Sequence, residues 1–172
     1  MKKTHNRICL IGMSGIGKSS LGKKIAKHYN ISFIDTDTYI QSQINQSLKD
    51  YINQFGEPHF LKTEESLVST MPLEKKMVIA TGGSVVYSKK AMSYLKKNSV
   101  IIYLNDTFEN IQKRIKEYDN RGIIMNQKCS LKDVFTEREP LYQSWADIVI
   151  TYPTPFSIKQ ILNTLYKQIN FL

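Results

Sequence analysis

The chain has 172 residues, a length typical of one domain with a single hydrophobic core. Hydrophobic residues make up 41% of it and charged residues 23%, which excludes a chain dominated by intrinsic disorder. No stretch approaches the run of about 20 apolar residues that a membrane-spanning helix needs, and no secretion signal is visible. We therefore expect a globular protein located in the cytoplasm.

The formal net charge of +9 favours anionic partners. The lysines occur as scattered pairs rather than in one basic block, so most are interpreted as solvated helix faces and a nucleic-acid partner is not expected. Only four of the 24 basic residues are arginines: Arg7, Arg114, Arg121 and Arg138. Arginine recognises planar anions through two parallel hydrogen bonds, which makes each of the four a candidate binding residue. The two cysteines indicate neither a disulfide framework nor a metal site.

Short runs rich in Ile and Val alternate with longer segments of helical periodicity. The predicted strands comprise residues 7–11, 32–35, 77–80, 100–104 and 148–151. The predicted helices comprise residues 19–29, 57–69, 89–97, 107–117, 131–142 and 157–169. This alternation predicts an α/β fold of three layers, α/β/α, in which helices cover both faces of a five-stranded parallel sheet.

Two segments depart from the alternation. Residues 38–54 are polar with weak periodicity and predict two short helices, whereas residues 118–128 predict an exposed loop. Helix starts are predicted where a capping residue precedes an acid by three positions, at Asp106 with Glu109 and at Ser130 with Asp133.

The strongest motif is a glycine-rich loop between the first predicted strand and the first predicted helix. It reads Gly12-Met-Ser-Gly-Ile-Gly17-Lys18-Ser19 and matches G-x-x-x-x-G-K-[ST]. In this pattern backbone N–H groups surround phosphate oxygens, the lysine reaches the β- and γ-phosphates, and the last hydroxyl ligates Mg²⁺. The loop therefore predicts a nucleoside triphosphate site. The alternative, a chance match in a glycine-rich turn, does not explain why the motif lies between a strand and a helix.

Two carboxylates, Asp35 and Asp37, follow the second predicted strand. Positions i and i+2 of an extended chain point to the same side, so both acids are placed to face a ligand beyond the strand. One would approach Mg²⁺ while the other accepts a hydrogen bond from a substrate hydroxyl. A helix cap is the alternative for either residue.

A third motif, Ile79-Ala-Thr-Gly82-Gly83-Ser84, carries a buried strand into paired glycines. Glycine permits close approach of a ligand to the backbone, whose N–H groups suit an anionic or hydroxylated substrate. A simple tight turn is the alternative.

In this order the motifs resemble those of shikimate kinases, small P-loop kinases that phosphorylate the 3-hydroxyl of shikimate in aromatic amino-acid biosynthesis. The resemblance spans the P-loop at 12–19, Asp-x-Asp at 35–37, Gly-Glu-x-x-Phe at 56–60 with Glu64, Ala-Thr-Gly-Gly at 80–83, Arg-Glu-Pro-Leu-Tyr at 138–142 and Ala-Asp at 146–147. It implies the P-loop kinase fold, with residues 1–172 as one domain. The acceptor-binding segment would lie at about 36–70 and the lid at about 118–128.

The resemblance also implies roles for individual residues. The ATP-binding set would be Gly12, Ser14, Gly15, Ile16, Gly17, Lys18, Ser19, Ser20, Arg114 and Arg121. Within it, Arg114 resembles the arginine that packs on adenine, and Arg121 the lid arginine that closes over the transferring phosphate. The catalytic set would be Lys18, Asp35 and Arg121, with Mg²⁺ held by Ser19 and Asp35.

The acceptor would contact Asp37, Gly82, Gly83 and Arg138. In the family pattern Asp37 binds hydroxyls, the two glycines offer their backbone, and Arg138 holds the acceptor carboxylate. For each arginine, a loose surface salt bridge is the alternative.

The sequence departs from the family pattern at the acceptor end and in the lid. The Phe-Arg-x-x-Glu segment has Leu61 in place of its arginine, a loss of a charge-assisted hydrogen bond that costs about 1.5–3 kcal/mol, or about 10- to 150-fold in affinity. Lys62 and His59 are candidates to compensate, although neither offset on a helix suits the task. Ser84 replaces a third glycine, and Gly122 follows the lid arginine where the family has proline.

We therefore expect a monomeric kinase that depends on Mg²⁺ and ATP and phosphorylates shikimate, a small-molecule partner, away from any membrane. One alternative is a related kinase of another hydroxylated small molecule, with Leu61 marking a less anionic acceptor. The other is a nucleotide-binding module with little phosphotransfer.

Overall fold

The computed structural model describes residues 6–117, 130–153 and 157–168. The predicted lid at 118–128, with Arg121 and Gly122, lies outside these residues. Within them, none of the helices combines the length and the apolar character needed to cross a membrane.

Five parallel strands form one sheet in the order β2-β3-β1-β4-β5. The strands are β1 Arg7–Ile11, β2 Ser32–Asp35, β3 Met77–Ala80, β4 Val100–Asn105 and β5 Ile148–Thr151. At the centre, Cys9 of β1 lies in register with Ile79 of β3 and Ile101 of β4. All five predicted strands are confirmed, and β4 extends one residue further than predicted.

Eight helices accompany the sheet in the described part of the chain. They are α1 Lys18–Tyr29, α2 Thr36–Ile44, α3 Leu48–Phe55, α4 Glu57–Val68, α5 Lys89–Asn98, α6 Phe108–Glu117, α7 Leu131–Trp145 and α8 Ile158–Gln168. A short 3₁₀ turn, Val85–Tyr87, precedes α5. The two short helices predicted at 38–54 are confirmed as α2 and α3. Helix α2 begins earlier than predicted because the Asp35 carboxylate caps it directly after β2.

The chain order places helices on both faces of the sheet. The crossover from β1 to β2 runs in one direction across the sheet, whereas those from β3 to β4 and from β4 to β5 run in the other. Because such crossovers are right-handed, α1 lies on one face and α5 and α7 lie on the opposite face. The predicted three-layer α/β fold is thus confirmed.

The same topology locates a crevice. Neighbouring strands β1 and β3 send their following segments to opposite faces, which opens a gap at their carboxyl ends. The glycine-rich loop follows β1, and Gly82 and Gly83 follow β3. Both motifs therefore meet at this edge of the sheet.

Of the two predicted helix caps, one is confirmed and one is wrong. Ser130 and Asp133 form a reciprocal capping box at the start of α7. At α6, however, the N–H of Asn110 donates to the Thr107 side chain, so the cap lies one residue beyond Asp106. Asp106 instead forms an ion pair with Arg114, about two turns further along the chain.

Candidate active site

The glycine-rich loop has the backbone geometry that phosphate binding requires. Gly12 has φ 140° and Gly17 has φ 99°, a region that residues with a side chain rarely adopt. A Cβ at position 12 would also lie 2.6 Å from the carbonyl oxygen of Leu104. The loop conformation therefore depends on glycine, and it leads directly into the N-terminus of α1, where backbone N–H groups favour an anion.

Lys18 lies inside this loop and is only 7% exposed. Its Nζ donates to the carbonyl oxygens of Gly12 at 2.7 Å and Met13 at 2.8 Å, which holds the ammonium group within the curve of the loop. A positive charge so placed adds to the helix N-terminus in attracting phosphate oxygens.

The remaining loop residues of the predicted ATP-binding set differ in exposure. Ser14 and Gly15 are half-buried, Ile16 is buried and Ser20 is exposed. Because the Ile16 side chain is buried, a ligand of the loop would meet its backbone rather than its side chain. Its carbonyl oxygen accepts a hydrogen bond of 2.8 Å from the Tyr152 hydroxyl, which ties the loop to the segment after β5.

Ser19 and Asp35 meet at the mouth of the loop. The Ser19 hydroxyl donates to Asp35 Oδ2 at 2.5 Å, while Asp35 Oδ1 accepts from the backbone N–H groups of Asp37 and Thr38. Asp35 is thus both a helix cap, the alternative considered for it, and a partner of the P-loop serine.

A hydroxyl and a carboxylate side by side form the hard oxygen donor set that suits Mg²⁺. Within the described ranges there is no cluster of three or more His, Cys, Asp or Glu that would hold a metal without further ligands. Mg²⁺ usually binds through one or two protein oxygens together with substrate phosphates, so the pair fits that ion.

Arg114 projects from α6 towards the same loop. Its Nη2 lies 2.7 Å from Asp106 Oδ2, and its guanidinium carbon lies 5.2 Å from the centre of the Tyr152 ring. The salt bridge considered as the alternative is therefore present. Asp106 is buried, and Tyr152 also holds the P-loop. Arg114 is therefore fixed beside the P-loop, in the part of the crevice that we call the nucleotide end.

The other part of the crevice, which we call the acceptor end, lies around Gly82 and Gly83 after β3. A Cβ there would lie 2.6 Å from Asp37 Oδ1 and 2.8 Å from Glu64 Oε1, so both carboxyl groups approach the glycine. The Gly82 N–H donates to Thr36 Oγ1 at 3.0 Å and is therefore already used inside the protein. This finding removes one of the backbone donors that the paired glycines were expected to offer.

Arg138 is buried at 1% exposure, which excludes the loose surface arginine as its interpretation. Its Nε donates to the Tyr87 hydroxyl at 3.1 Å, and the guanidinium carbon lies 5.1 Å from the centre of that ring. Nearby, the Tyr142 hydroxyl donates to the carbonyl oxygen of Gly83 at 2.6 Å. Burial raises the pKa of Tyr142, so this hydroxyl remains a donor at neutral pH.

The two ends meet at Gly83. A Cβ at this position would lie 2.8 Å from Ser14 Oγ and 3.1 Å from Arg138 Nη1. A residue of the P-loop and the buried guanidinium thus both approach the position that a side chain at Gly83 would occupy. The site brings together the predicted phosphate-binding and acceptor-binding residues of the described chain.

Glu64 is a further buried charge in this region, at 1% exposure. The Ser84 hydroxyl donates to its Oε2 at 2.7 Å. Burial raises the pKa of Glu64 from 4.5 to about 7, and the negative charge of Asp37 raises it as well. The hydrogen bond from Ser84 and the positive charge of Arg138 lower this pKa.

Leu61 supplies no polar group to the site. It is half-buried and packs against the core, whereas Lys62 and His59 are exposed on α4. The His59 ring stacks on Phe55 at 5.3 Å. Both predicted substitutes are thus exposed, whereas Arg138 is buried.

The sequence motifs assigned no roles to Thr36, Tyr87 or Tyr152. Each acts through a contact with a distant segment, and single tyrosines or threonines carry no distinctive spacing. Tyr142 lies within a matched motif, but only the structure shows its hydrogen bond to Gly83.

A parallel α/β sheet with a P-loop after β1 and a buried arginine beside it is typical of P-loop phosphotransferases. The sequence model of the family described as "Shikimate kinase" matches residues 14–170. The chain belongs to the shikimate kinase family, and it is accordingly a kinase that uses ATP.

Individual relatives agree. The shikimate kinase of Dictyoglomus turgidum is 35% identical over 85% of this chain and 87% of its own length. That of Thermodesulfovibrio yellowstonii is 36% identical over 83% of both chains. Among solved structures, the Aquifex aeolicus shikimate kinase is 27% identical with a TM-score of 0.74, covering 94% of this chain and 97% of its own. The Acinetobacter baumannii enzyme, solved in complex with shikimate, has a TM-score of 0.83 at 24% identity over 96% of both chains, a likeness of fold.

Proposed function

We propose that this protein transfers the γ-phosphoryl group of ATP to the 3-hydroxyl of shikimate, with Mg²⁺ held at Ser19 and Asp35. The observation that carries the proposal is that Ser14 of the P-loop and the Arg138 guanidinium both approach the position that a side chain at Gly83 would occupy. A phosphate in the loop and a carboxylated acceptor on Arg138 would lie next to each other, which is the positioning that phosphoryl transfer requires.

The residues divide the chemistry between them. Lys18 neutralises charge on the transferring phosphoryl group, and Arg121 is assigned to the same task from the lid. When bound, Mg²⁺ supplies further neutralisation between the phosphates. Arg114, held by Asp106 and Tyr152, is assigned to the adenine ring.

The two aspartates take different roles. Both oxygens of Asp35 engage Ser19 or the start of α2, which supports a place on the metal side. Asp37 Oδ1 instead faces Gly82 and is assigned to the acceptor hydroxyl, whose proton it accepts as the new P–O bond forms and the bond to ADP breaks. Gly83 and Arg138 complete the acceptor site.

The wider expectations follow from this assignment. We propose that residues 1–172 form one kinase domain, with the acceptor-binding segment at about 36–70 and the lid at about 118–128. A monomer in the cytoplasm stays a prediction.

The test is ADP release from Mg²⁺-ATP with and without shikimate, in the wild type and in Leu61→Arg. We expect stimulation of the wild type at submillimolar shikimate and tighter acceptor binding in Leu61→Arg. Lys62→Arg, which adds the same group at an exposed neighbouring position, is the matched control and should behave as the wild type.

One second candidate has an observation in its favour. Leu61 packs on the core and offers no charge, which would suit a less anionic hydroxylated acceptor. A response to shikimate by Leu61→Arg alone would establish that candidate. ATP binding without acceptor-dependent ADP release in either protein would indicate a nucleotide-binding module.

A further inference from the structure

Glu64 is a buried carboxyl group of which only one oxygen has a hydrogen-bond partner in the described part of the chain. Its Oε2 accepts the hydrogen bond from Ser84, but no described residue forms a hydrogen bond with Oε1, which is buried. A buried polar atom without a partner costs free energy, and native proteins rarely keep one without a water, an ion or a ligand to satisfy it.

The unsatisfied oxygen faces the acceptor end of the crevice. Glu64 Oε1 and Asp37 Oδ1 both approach the position that a side chain at Gly82 would occupy. The next residue, Gly83, lies against Arg138. Oε1 therefore lies beside the groups assigned to the acceptor hydroxyls and carboxylate.

The charged groups that act on Glu64 come from two helices. They are Asp37 of α2, which raises its pKa, and Arg138 of α7, which lowers it. The residues on either side of Glu64 have other partners: Thr63 pairs with the Tyr51 hydroxyl, and Glu65 accepts a hydrogen bond from Ser88.

Two neighbouring carboxyl groups in a buried place do not both ionise readily, and one of them retains a proton. Asp37 is half-buried, whereas Glu64 is almost fully buried, so the proton belongs on Glu64. The raised pKa of about 7 agrees with this assignment. With Oε2 occupied by Ser84, the proton resides on Oε1.

A neutral carboxyl group at Glu64 would also replace the hydrogen-bond donor that the family pattern has at the position of Leu61. The chain lacks the second arginine of the family pattern, so one hydrogen-bond donor towards the acceptor is missing. A protonated Glu64 supplies a donor without adding negative charge next to an anionic acceptor.

We propose that Glu64 is an acceptor-binding residue that donates a hydrogen bond from Oε1 to an oxygen of the acceptor, with Ser84 as the residue that positions it. This rests on the proposed function, since the acceptor is taken to be shikimate. The acceptor is thereby held by a protonated carboxyl group where the family pattern has a guanidinium.

The kinetic test compares KM for shikimate in the wild type, Glu64→Gln and Glu64→Ala. In the wild type, KM should rise about tenfold between about pH 6 and about pH 8, because ionisation removes the donor. Glu64→Gln keeps an N–H donor at every pH, so its KM should stay low and flat, whereas Glu64→Ala should be weak throughout. KM for ATP should change with pH equally in all three proteins.

Two controls isolate the effect. Glu65→Gln lies one position along α4 and bonds Ser88, so its KM should follow the wild type with pH. Ser84→Ala removes a hydrogen bond that lowers the Glu64 pKa, and the rise in KM should therefore shift to higher pH. A merely structural role for Ser84 would not move that midpoint.

A carboxyl ¹³C NMR titration of the wild type against Glu64→Gln provides a readout that does not depend on activity. We expect the Glu64 signal to titrate near pH 7, and a midpoint near 4.5 would overturn the inference for any acceptor. A flat KM in an active wild type, or Glu64→Gln as weak as Glu64→Ala at low pH, would overturn it too. An inactive protein whose Glu64 titrates near 7 would instead count against shikimate as the acceptor.

Discussion

The two ends of the crevice are built in different ways. At the nucleotide end, residues 12–19 form one continuous segment, the glycine-rich loop and the first residues of α1, in which glycine backbone geometry and Lys18 make up the proposed anion site. At the acceptor end, buried side chains converge from α2, α4 and α7 around Gly82 and Gly83. A site made of backbone tolerates few changes, whereas one made of separate side chains can exchange single members. Of the three departures that the resemblance implies, Leu61 and Ser84 fall at the acceptor end, where this difference predicts variation, and Gly122 falls in the predicted lid.

The nucleotide end should respond most strongly to loss of its charge. Lys18→Ala removes the cation aimed at the phosphates and should lower kcat/KM at least about 10²- to 10³-fold. Steady-state ADP release measures the loss. Lys24→Ala, exposed on the same helix, is the control, and a comparable defect in that variant would contradict the assignment.

At the acceptor end, the buried Glu64 should make stability depend on pH. Between 4.5 and about 7 the folded protein holds a proton that the unfolded chain releases. The free energy of unfolding should therefore fall by about 3 kcal/mol as pH rises through this window. Urea unfolding of the wild type and of Glu64→Gln at both limits isolates the contribution, since the amide does not titrate. Equal pH dependence in the two proteins would show that Glu64 does not titrate in this window.

Replacement of Arg138 should change KM for shikimate much more than KM for ATP. Arg138→Lys keeps a charge but loses the planar pair of donors, and we expect KM for shikimate to rise about 10- to 150-fold. KM for ATP should change little, because the nucleotide is held elsewhere. Lys132→Ala, exposed on the same helix, serves as the control. An equal rise in both KM values would place Arg138 in a structural role.

The smallest expected effects come from two tyrosines, one at each end of the crevice. Tyr142 donates to the carbonyl of Gly83 at the acceptor end, and Tyr152 donates to the carbonyl of Ile16 at the nucleotide end. Replacing either by Phe leaves a buried carbonyl unsatisfied and should cost about 1–3 kcal/mol of stability. Tyr142→Phe should raise KM mainly for shikimate, and Tyr152→Phe mainly for ATP. If both variants affect both substrates equally, the two ends are not independent.

Much of the fold could be predicted from local patterns. Short Ile- and Val-rich runs indicated the strands, and three- and four-residue spacing of apolar residues indicated the helices. The predicted cap at Asp106 was wrong because Thr107, its neighbour, competes for the same helix start and Asp106 forms an ion pair with Arg114. Helix ends depend on which of two adjacent polar residues finds a better partner elsewhere.

For the candidate site, too, local motifs predicted the residues but not their contacts. The P-loop, the aspartate pair and the paired glycines are contiguous motifs, so their residue types and spacing were sufficient to indicate phosphate, metal and acceptor binding. The same comparison of motifs predicted a departure from the family pattern at Leu61.

The partners of these residues emerged only from the tertiary structure. Glu64 bonds Ser84, Arg138 bonds Tyr87, and both Ser14 and Arg138 approach Gly83, because the sheet order brings distant segments to one edge. Hydrophobic periodicity encodes which face of an element is buried, but not which other element covers it. Local sequence thus determined the elements and the chemistry they carry, while packing between elements decided which charges are buried together.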